Sequence, residues 1–146
     1  MTTPKILIRK GKIADIPQLI RLYSGVKEIS DFAGQKYDKN YFLQYIKPKE
    51  NIVLVAEKDG KIYGALNAEF EDLAKYTFLV NLVVSKKHRG KGIGGLLIKS
   101  LEAMSRKRKN KQMIGLIFDW NKNMQKVVEH CKYSASQKAI IYVKKL

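Results

Sequence analysis

The sequence predicts an α/β fold built on a mixed sheet, and three features predict it. Strand-like apolar runs alternate with stretches whose apolar residues recur at helical spacing. Two adjacent strand-like runs flank Asp59-Gly60, a pair that suits a tight hairpin turn, so the first part of the sheet is antiparallel. Further on, a strand, a glycine-rich loop, an amphipathic helix and another strand follow in succession. That order implies a parallel, right-handed crossover, with helices on both faces of the sheet. The 146 residues suit one domain, 1–146, and a 45% hydrophobic content is enough to build its core.

"KILIR" (5–9) reads as the first strand. Asp15 then opens a helix: Asp15-x-x-Gln18 has the capping-box pattern and Pro17 sits in the first turn, where it is tolerated. Ile16, Leu19, Ile20, Tyr23 and Val26 form its apolar stripe. A loop (30–40) leads to a short helix carrying Tyr41, Phe42, Tyr45 and Ile46, ended by Pro48. The hairpin spans 51–72. "YTFLVNLVV" (76–84) is almost continuously apolar and β-branched, as a central strand covered on both faces would be. After the glycines, Ile93, Leu96, Leu97, Leu101 and Met104 line one helix face. "QMIGLIF" (112–118) is a strand, and 121–131 a helix with Met124, Val127, Val128 and Cys131 inward. "AIIYV" (139–143) is a closing strand.

A single cysteine, Cys131, excludes an intramolecular disulfide framework and a Cys-based zinc site. Two unclustered histidines, His88 and His130, argue against a transition-metal site, so no metal is expected. The N-terminal residues lack a signal-peptide apolar region, and no apolar run reaches the ~20 residues that span a bilayer. The expected location is the cytoplasm, without a membrane partner.

The net charge is +16, and residues 86–111 hold ten of the 29 Lys and Arg against one acid, Glu102. Such focused positive charge attracts polyanions. The candidates are a nucleotide cofactor, an acidic protein or RNA along Lys86–Lys111, or nothing beyond a solvated lysine-rich face. No Phe, Tyr or Trp interrupts the run from 85 to 111, so a nucleic-acid reading lacks a stacking platform. A homodimer is also compatible with the sequence.

The glycines sit in "VVSKKHRGKGIGGLL" (83–97). Glycine at a strand-to-helix junction lets the backbone approach a ligand and aims helix N-terminal N–H groups at it. The helix dipole and Lys87, Arg89 and Lys91 add positive charge. Together they favour a phosphate or diphosphate. A Walker A loop is excluded because Gly90-Lys91 is followed by Gly92 instead of Ser or Thr. Gly90-x-Gly92-x-x-Gly95 matches a dinucleotide fingerprint, with Asp119 as a ribose partner. However, Ser85–Arg89 separate it from the strand, and only 51 residues follow Gly95.

Residues 82–104, "LVVSKKHRGKGIGGLLIKSLEAM", resemble the acetyl-CoA-binding motif of the GNAT superfamily of N-acetyltransferases. The matching residues are Leu82-x-Val84, a short charged loop, then Arg89-Gly90-Lys91-Gly92-Ile93-Gly94 opening a helix. The likeness covers nearly the whole chain in element order. It implies a GNAT-like sheet and acetyl transfer from acetyl-CoA to a primary amine by direct attack on the thioester. It also implies that the backbone N–H groups of Arg89–Gly94 cradle the diphosphate. The pantetheine would run beside Leu82, Val83 and Val84, one of whose N–H groups would polarise the thioester carbonyl. Asn121 matches the position of an asparagine against the CoA arm, where a plain N-cap is the competing reading.

The resemblance fails at the general acid. The family's tyrosine, four residues before a Gly-Phe pair, falls at Val128, before Lys132-Tyr133. Tyr133, His130, Cys131 or water would have to supply the proton. Otherwise the step runs without an acid, at a cost of about 10²-fold, or the protein is a CoA-binding regulator without efficient turnover. Glu69 and Glu71 share one face of their strand and are the candidate proton acceptors; Asn81, an amide in an apolar strand, is a candidate orienting group. The segment between the first two helices, with Glu28, Asp31, Phe32, Tyr37 and Tyr41, is the expected acceptor contact.

Overall fold

The computed structural model describes residues 5–26 and 35–146. Five strands form one sheet in the order β1-β2-β3-β4-β5. They are β1 (Leu7–Lys10), β2 (Asn51–Lys58), β3 (Lys61–Glu71), β4 (Tyr76–Val84) and β5 (Gln112–Gly115). The first four pair antiparallel, and β5 lies parallel to β4. The β2–β3 turn places Asp59 and Gly60 at φ 51° and 76°, the positive pair that the two residues were expected to adopt.

Four helices cover both faces: α1 (Ile16–Ser24), α2 (Lys39–Ile46), α3 (Ile93–Lys107) and α4 (Lys122–His130). Alternation along the strands divides the core. Ile52, Leu54, Ala56, Leu66 and Ala68 pack with Ile93, Leu97, Ile98, Leu101 and Val128 of α3 and α4. Val53, Val55 and Ala65 face the other way, onto Leu19, Tyr23, Tyr41 and Phe42 of α1 and α2.

Four local expectations change. The apolar face of α3 is rotated: Leu96 is 44% exposed and Ile98 is buried. At about 100° per residue, Ile98 lies about 60° from Leu101 around the helix, and Leu96 about 140° from it on the other side. Asp15 does not cap α1. Its carboxylate accepts from the Lys12 backbone N–H (2.7 Å) and from Arg9 (2.7 and 2.9 Å). Gln18 instead clamps the β2–β3 turn, donating to the Gly60 carbonyl (3.1 Å) and accepting from the Ile62 N–H (3.0 Å). The strand expected over 112–118 stops at Gly115, where its pairing with β4 stops. Finally, 139–143 is not a strand. Its apolar composition has β propensity, but no described strand pairs with it, and Ile140, Tyr142 and Val143 are exposed.

Candidate active site

The junction between β4 and α3 is shaped by two glycines with left-handed backbone, Gly90 (φ 76°) and Gly92 (φ 80°). Gly92 is the N-cap of α3, and no side chain caps that helix. Ser, Thr, Asp or Asn would fold its own oxygen over the first N–H groups. With glycine there, the orphan N–H groups and the positive end of a 15-residue helix stay available to an anion. A Cβ built on Gly90, Gly92 or Gly95 would meet no protein atom within 4 Å, so protein packing does not account for these three glycines. Gly94 differs: its Cβ would touch Leu82 and Val127 at 3.4 and 3.5 Å, where α3 approaches β4 and α4. Lys87 and Lys91 are exposed beside the turn. The Arg89 guanidinium folds back, its Nε donating to the Val84 carbonyl (3.0 Å). The 3₁₀ turn at Lys86–His88 is anchored by Ser85 Oγ against His88 Nδ1 (2.5 Å) and by stacking of His88 on Tyr63 at 3.8 Å. The loop is thus a held structure.

The adjoining strand is open on one side. β4 pairs with β5 only from Tyr76 to Leu79. From Asn81 to Val84 it keeps β3 on one side, while the β5 side has no pairing among the described strands. At that point β4 also bulges: Asn81 pairs with Asn67 and Leu79 with Ala68, leaving Val80 as the extra residue. The bulge changes the facing of the strand. Leu79 and Leu82, three apart, both join the α3/α4 core, and Val80 packs on the α1/α2 side, where the Asn81 side chain also points. Leu82, Val83 and Val84, expected along a cofactor arm, lead from the bulge to the 3₁₀ turn that precedes the glycines.

Under the bulge, on the α1/α2 face, lies a buried network of phenols and amides. The Asn67 and Asn81 Nδ2 groups both donate to the Tyr41 hydroxyl (2.9 and 3.0 Å). Tyr23 donates to Asn67 Oδ1 (2.9 Å), and Tyr45 donates to Glu69 Oε1 (3.0 Å). The Tyr41 and Tyr45 hydroxyls lie beside one another. Burial raises the pKa of Tyr23, Tyr41 and Tyr45, so all three are neutral phenols at physiological pH. Tyr37 packs edge-on against Tyr23 and Tyr41. The structure thus gathers Glu69 and Asn81 into one cluster. Tyr45, Tyr23 and Asn67 belong to it too and were missed: their partners are 24 to 44 residues away. Glu71 is exposed at the end of β3. Glu28, Asp31 and Phe32 lie outside the described residues.

The remaining expected residues lie apart from this cluster. Tyr133 lines a cavity of about 530 Å³ with Glu102, Arg106 and Lys111, toward the far end of α3. Glu102 is nine residues beyond Ile93, about 14 Å along the helix. Burial and nearby Glu102 push the Tyr133 phenol up, and burial pushes the Cys131 thiol up. Val128 is buried in the α3/α4 core. Asn121 caps α4, its Oδ1 accepting from the Met124 N–H (3.2 Å). The basic run at the end of α3 is partly tied down: Arg108 forms a two-point ion pair with Asp72 and lies 4.2 Å over the Phe70 ring. Among the described residues no three His, Cys, Asp or Glu converge as a metal site, and no helix is long and apolar enough to cross a membrane.

The uncapped N-terminus of α3, the stretch of β4 with no partner on its β5 side among the described strands, and the polar cluster at the bulge lie along one strand and its junction. The chain belongs to the acetyltransferase (GNAT) family, whose model matches residues 17–133. No curated protein is a significant match. Several solved structures share the fold. An aminoglycoside acetyltransferase from an uncultured soil metagenomic sample, in complex with sisomicin, superposes with a TM-score of 0.79 at 20% identity, covering 97% of this chain and 96% of that one. The aminoglycoside N-acetyltransferase AAC(6')-Iy in complex with CoA gives a TM-score of 0.84 at 16% identity, over 99% and 98% of the two chains. A protein described as a transcriptional regulator from Bacillus halodurans C-125 gives 0.77 at 17%, over 96% and 100%. At these identities the likeness is one of fold.

Proposed function

We propose that the protein transfers an acetyl group from acetyl-CoA to a primary amine by direct attack on the thioester. The observation that carries this reading is the uncapped glycine turn at α3, set just beyond the stretch of β4 that has no partner on its β5 side. In this reading the N–H groups from Arg89 to Gly94, with Lys87 and Lys91, hold the diphosphate. The open edge at Leu82–Val84 aligns the arm, and bound acetyl-CoA supplies the activated acyl group. The amine comes from the α1/α2 side. As its nitrogen bonds to the carbonyl carbon and the C–S bond breaks, its proton passes to Glu69, directly or through water. Glu69 Oε1 is engaged by Tyr45, while Oε2 has no protein partner among the described residues. The departing thiolate takes its proton from solvent, since Val128 has no proton to donate. Asn121 acts as an N-cap.

Thermal melting with acetyl-CoA, NAD and a short RNA in parallel tests the donor assignment. At a hundredfold excess over Kd, acetyl-CoA stabilises the fold by about 2.7 kcal/mol, a shift of roughly 5 °C or more for a chain of this size. No shift with acetyl-CoA at millimolar concentration would remove this reading. Thiol release is then followed with a panel of primary amines. Aminoglycosides belong in the panel because neighbours of the same fold are aminoglycoside acetyltransferases. Binding without thiol release from any amine would favour a CoA-binding regulator, the reading that Val128 motivates.

A further inference from the structure

Asn67 and Asn81 are directly opposed register partners on β3 and β4, at the last regular pair before the bulge. Both side-chain amides donate to one oxygen, the Tyr41 hydroxyl, at 2.9 and 3.0 Å. Asn67 is fully buried, and its orientation is set independently because its Oδ1 accepts from Tyr23. Its Nδ2 must therefore point at Tyr41. Tyr41 is itself held. Its backbone N–H is bound by Asp38 (2.9 Å), and its ring packs edge-on against Tyr37 and Phe42 at 4.9 and 5.2 Å. With both lone pairs taken by amides, its hydrogen is directed to the other side, where Tyr45 and Glu69 lie. One phenol thus joins two strands and a helix at the residue where β4 leaves regular pairing.

We propose that Tyr41 is a positioning residue whose hydroxyl clasps Asn67 to Asn81 and so fixes the β4 bulge in the form that presents the thioester to the amine. The inference rests on the acetyl-transfer reading above. It assigns Tyr41 no proton transfer. Removing its oxygen leaves one buried and one partly buried amide donor without that acceptor, and the cluster relieves this by shifting Asn81 and the bulge. A displacement of about 1 Å at a reacting centre lowers the rate on the order of a hundredfold.

The test compares Tyr41→Phe with Ser105→Ala, which removes a buried hydroxyl bonded to Thr77 and to the Leu101 carbonyl, away from the cluster. Each removes one hydroxyl from the interior, but only the first removes the clasp. The expected result is a kcat lowered by at least about tenfold in Tyr41→Phe, with the KM for acetyl-CoA changed less than about threefold because the glycine turn is untouched. Ser105→Ala should keep kcat within about threefold of wild type even where its melting temperature falls. Hydrogen exchange at the Val80–Leu82 amides reads the bulge without catalysis and should accelerate in Tyr41→Phe alone. If Tyr41→Phe does not fold, Asn81→Ala, which removes one arm of the clasp at a partly buried site, must show the same kcat loss and faster exchange. Unchanged kcat and exchange in Tyr41→Phe, or equal losses in Tyr41→Phe and Ser105→Ala, overturn the proposal. If wild type binds no acetyl-CoA, the transfer reading fails, and the exchange comparison alone decides whether Tyr41 fixes the bulge.

Discussion

At Gly92 the chain enters the left-handed region and α3 begins without a side-chain cap. The two facts are linked, because a residue that is good at capping would occupy the N–H groups that a diphosphate needs. Gly92→Ala separates backbone from ligand. The left-handed conformation costs an L-residue about 1–2 kcal/mol, and no protein atom obstructs the new methyl. A denaturant melt should therefore show a loss of that size and no more. The KM for acetyl-CoA should rise on the order of tenfold or more, since a methyl group would stand where the backbone approaches the phosphates. Full affinity in this variant would place the ligand elsewhere.

Between elements, the joint of β1, the turn before α1 and β2 is electrostatic. Arg9 binds Asp15 and also Glu57 of β2. The Arg9 guanidinium lowers the pKa of the Asp15 carboxyl, against the opposing effect of burial. A depressed folded-state pKa adds stability above the ordinary aspartate value of about 3.9, and that stability is lost as pH falls through the lower folded value. Asp15→Asn should therefore be less stable than wild type at pH 7, and the gap should narrow between about pH 5 and pH 2. Melting temperatures across that range would show it; a constant gap would mean the ion pair contributes nothing. This joint also marks a limit of what the sequence reveals. Asp15 and Gln18 have capping-box spacing, but nothing local reveals the stronger partners that arrive from β1 and the hairpin turn. For α3 the period was readable and the phase was not, since Leu96 and Ile98 are equally apolar. For 139–143, propensity suggested a strand but could not supply an edge to pair with.

Over the whole molecule, legibility divides by sequence distance. The Asp59-Gly60 turn and the glycine junction were readable because two to six adjacent residues contain their chemistry. The cluster of Tyr23, Tyr41, Tyr45, Asn67, Asn81 and Glu69 was not, because it forms only when α1 and α2 fold onto β3 and β4. Glu69 and Asn81 stood out as polar residues in strands and Tyr41 as an acceptor contact; Tyr23 and Tyr45, which join them, looked like core aromatics, which they also are. Charge is a property of the same scale. The described α3 N-terminus, with Lys87 and Lys91 beside it on a chain of net charge +16, does not distinguish a cofactor's phosphates from any other small dianion. Buffer anions then become mass-action competitors. At matched ionic strength, inorganic phosphate or sulfate should raise the apparent KM for acetyl-CoA relative to chloride and leave kcat unchanged. Initial rates in the three salts check this. The choice of buffer would set the affinity an assay reports before any acceptor is added.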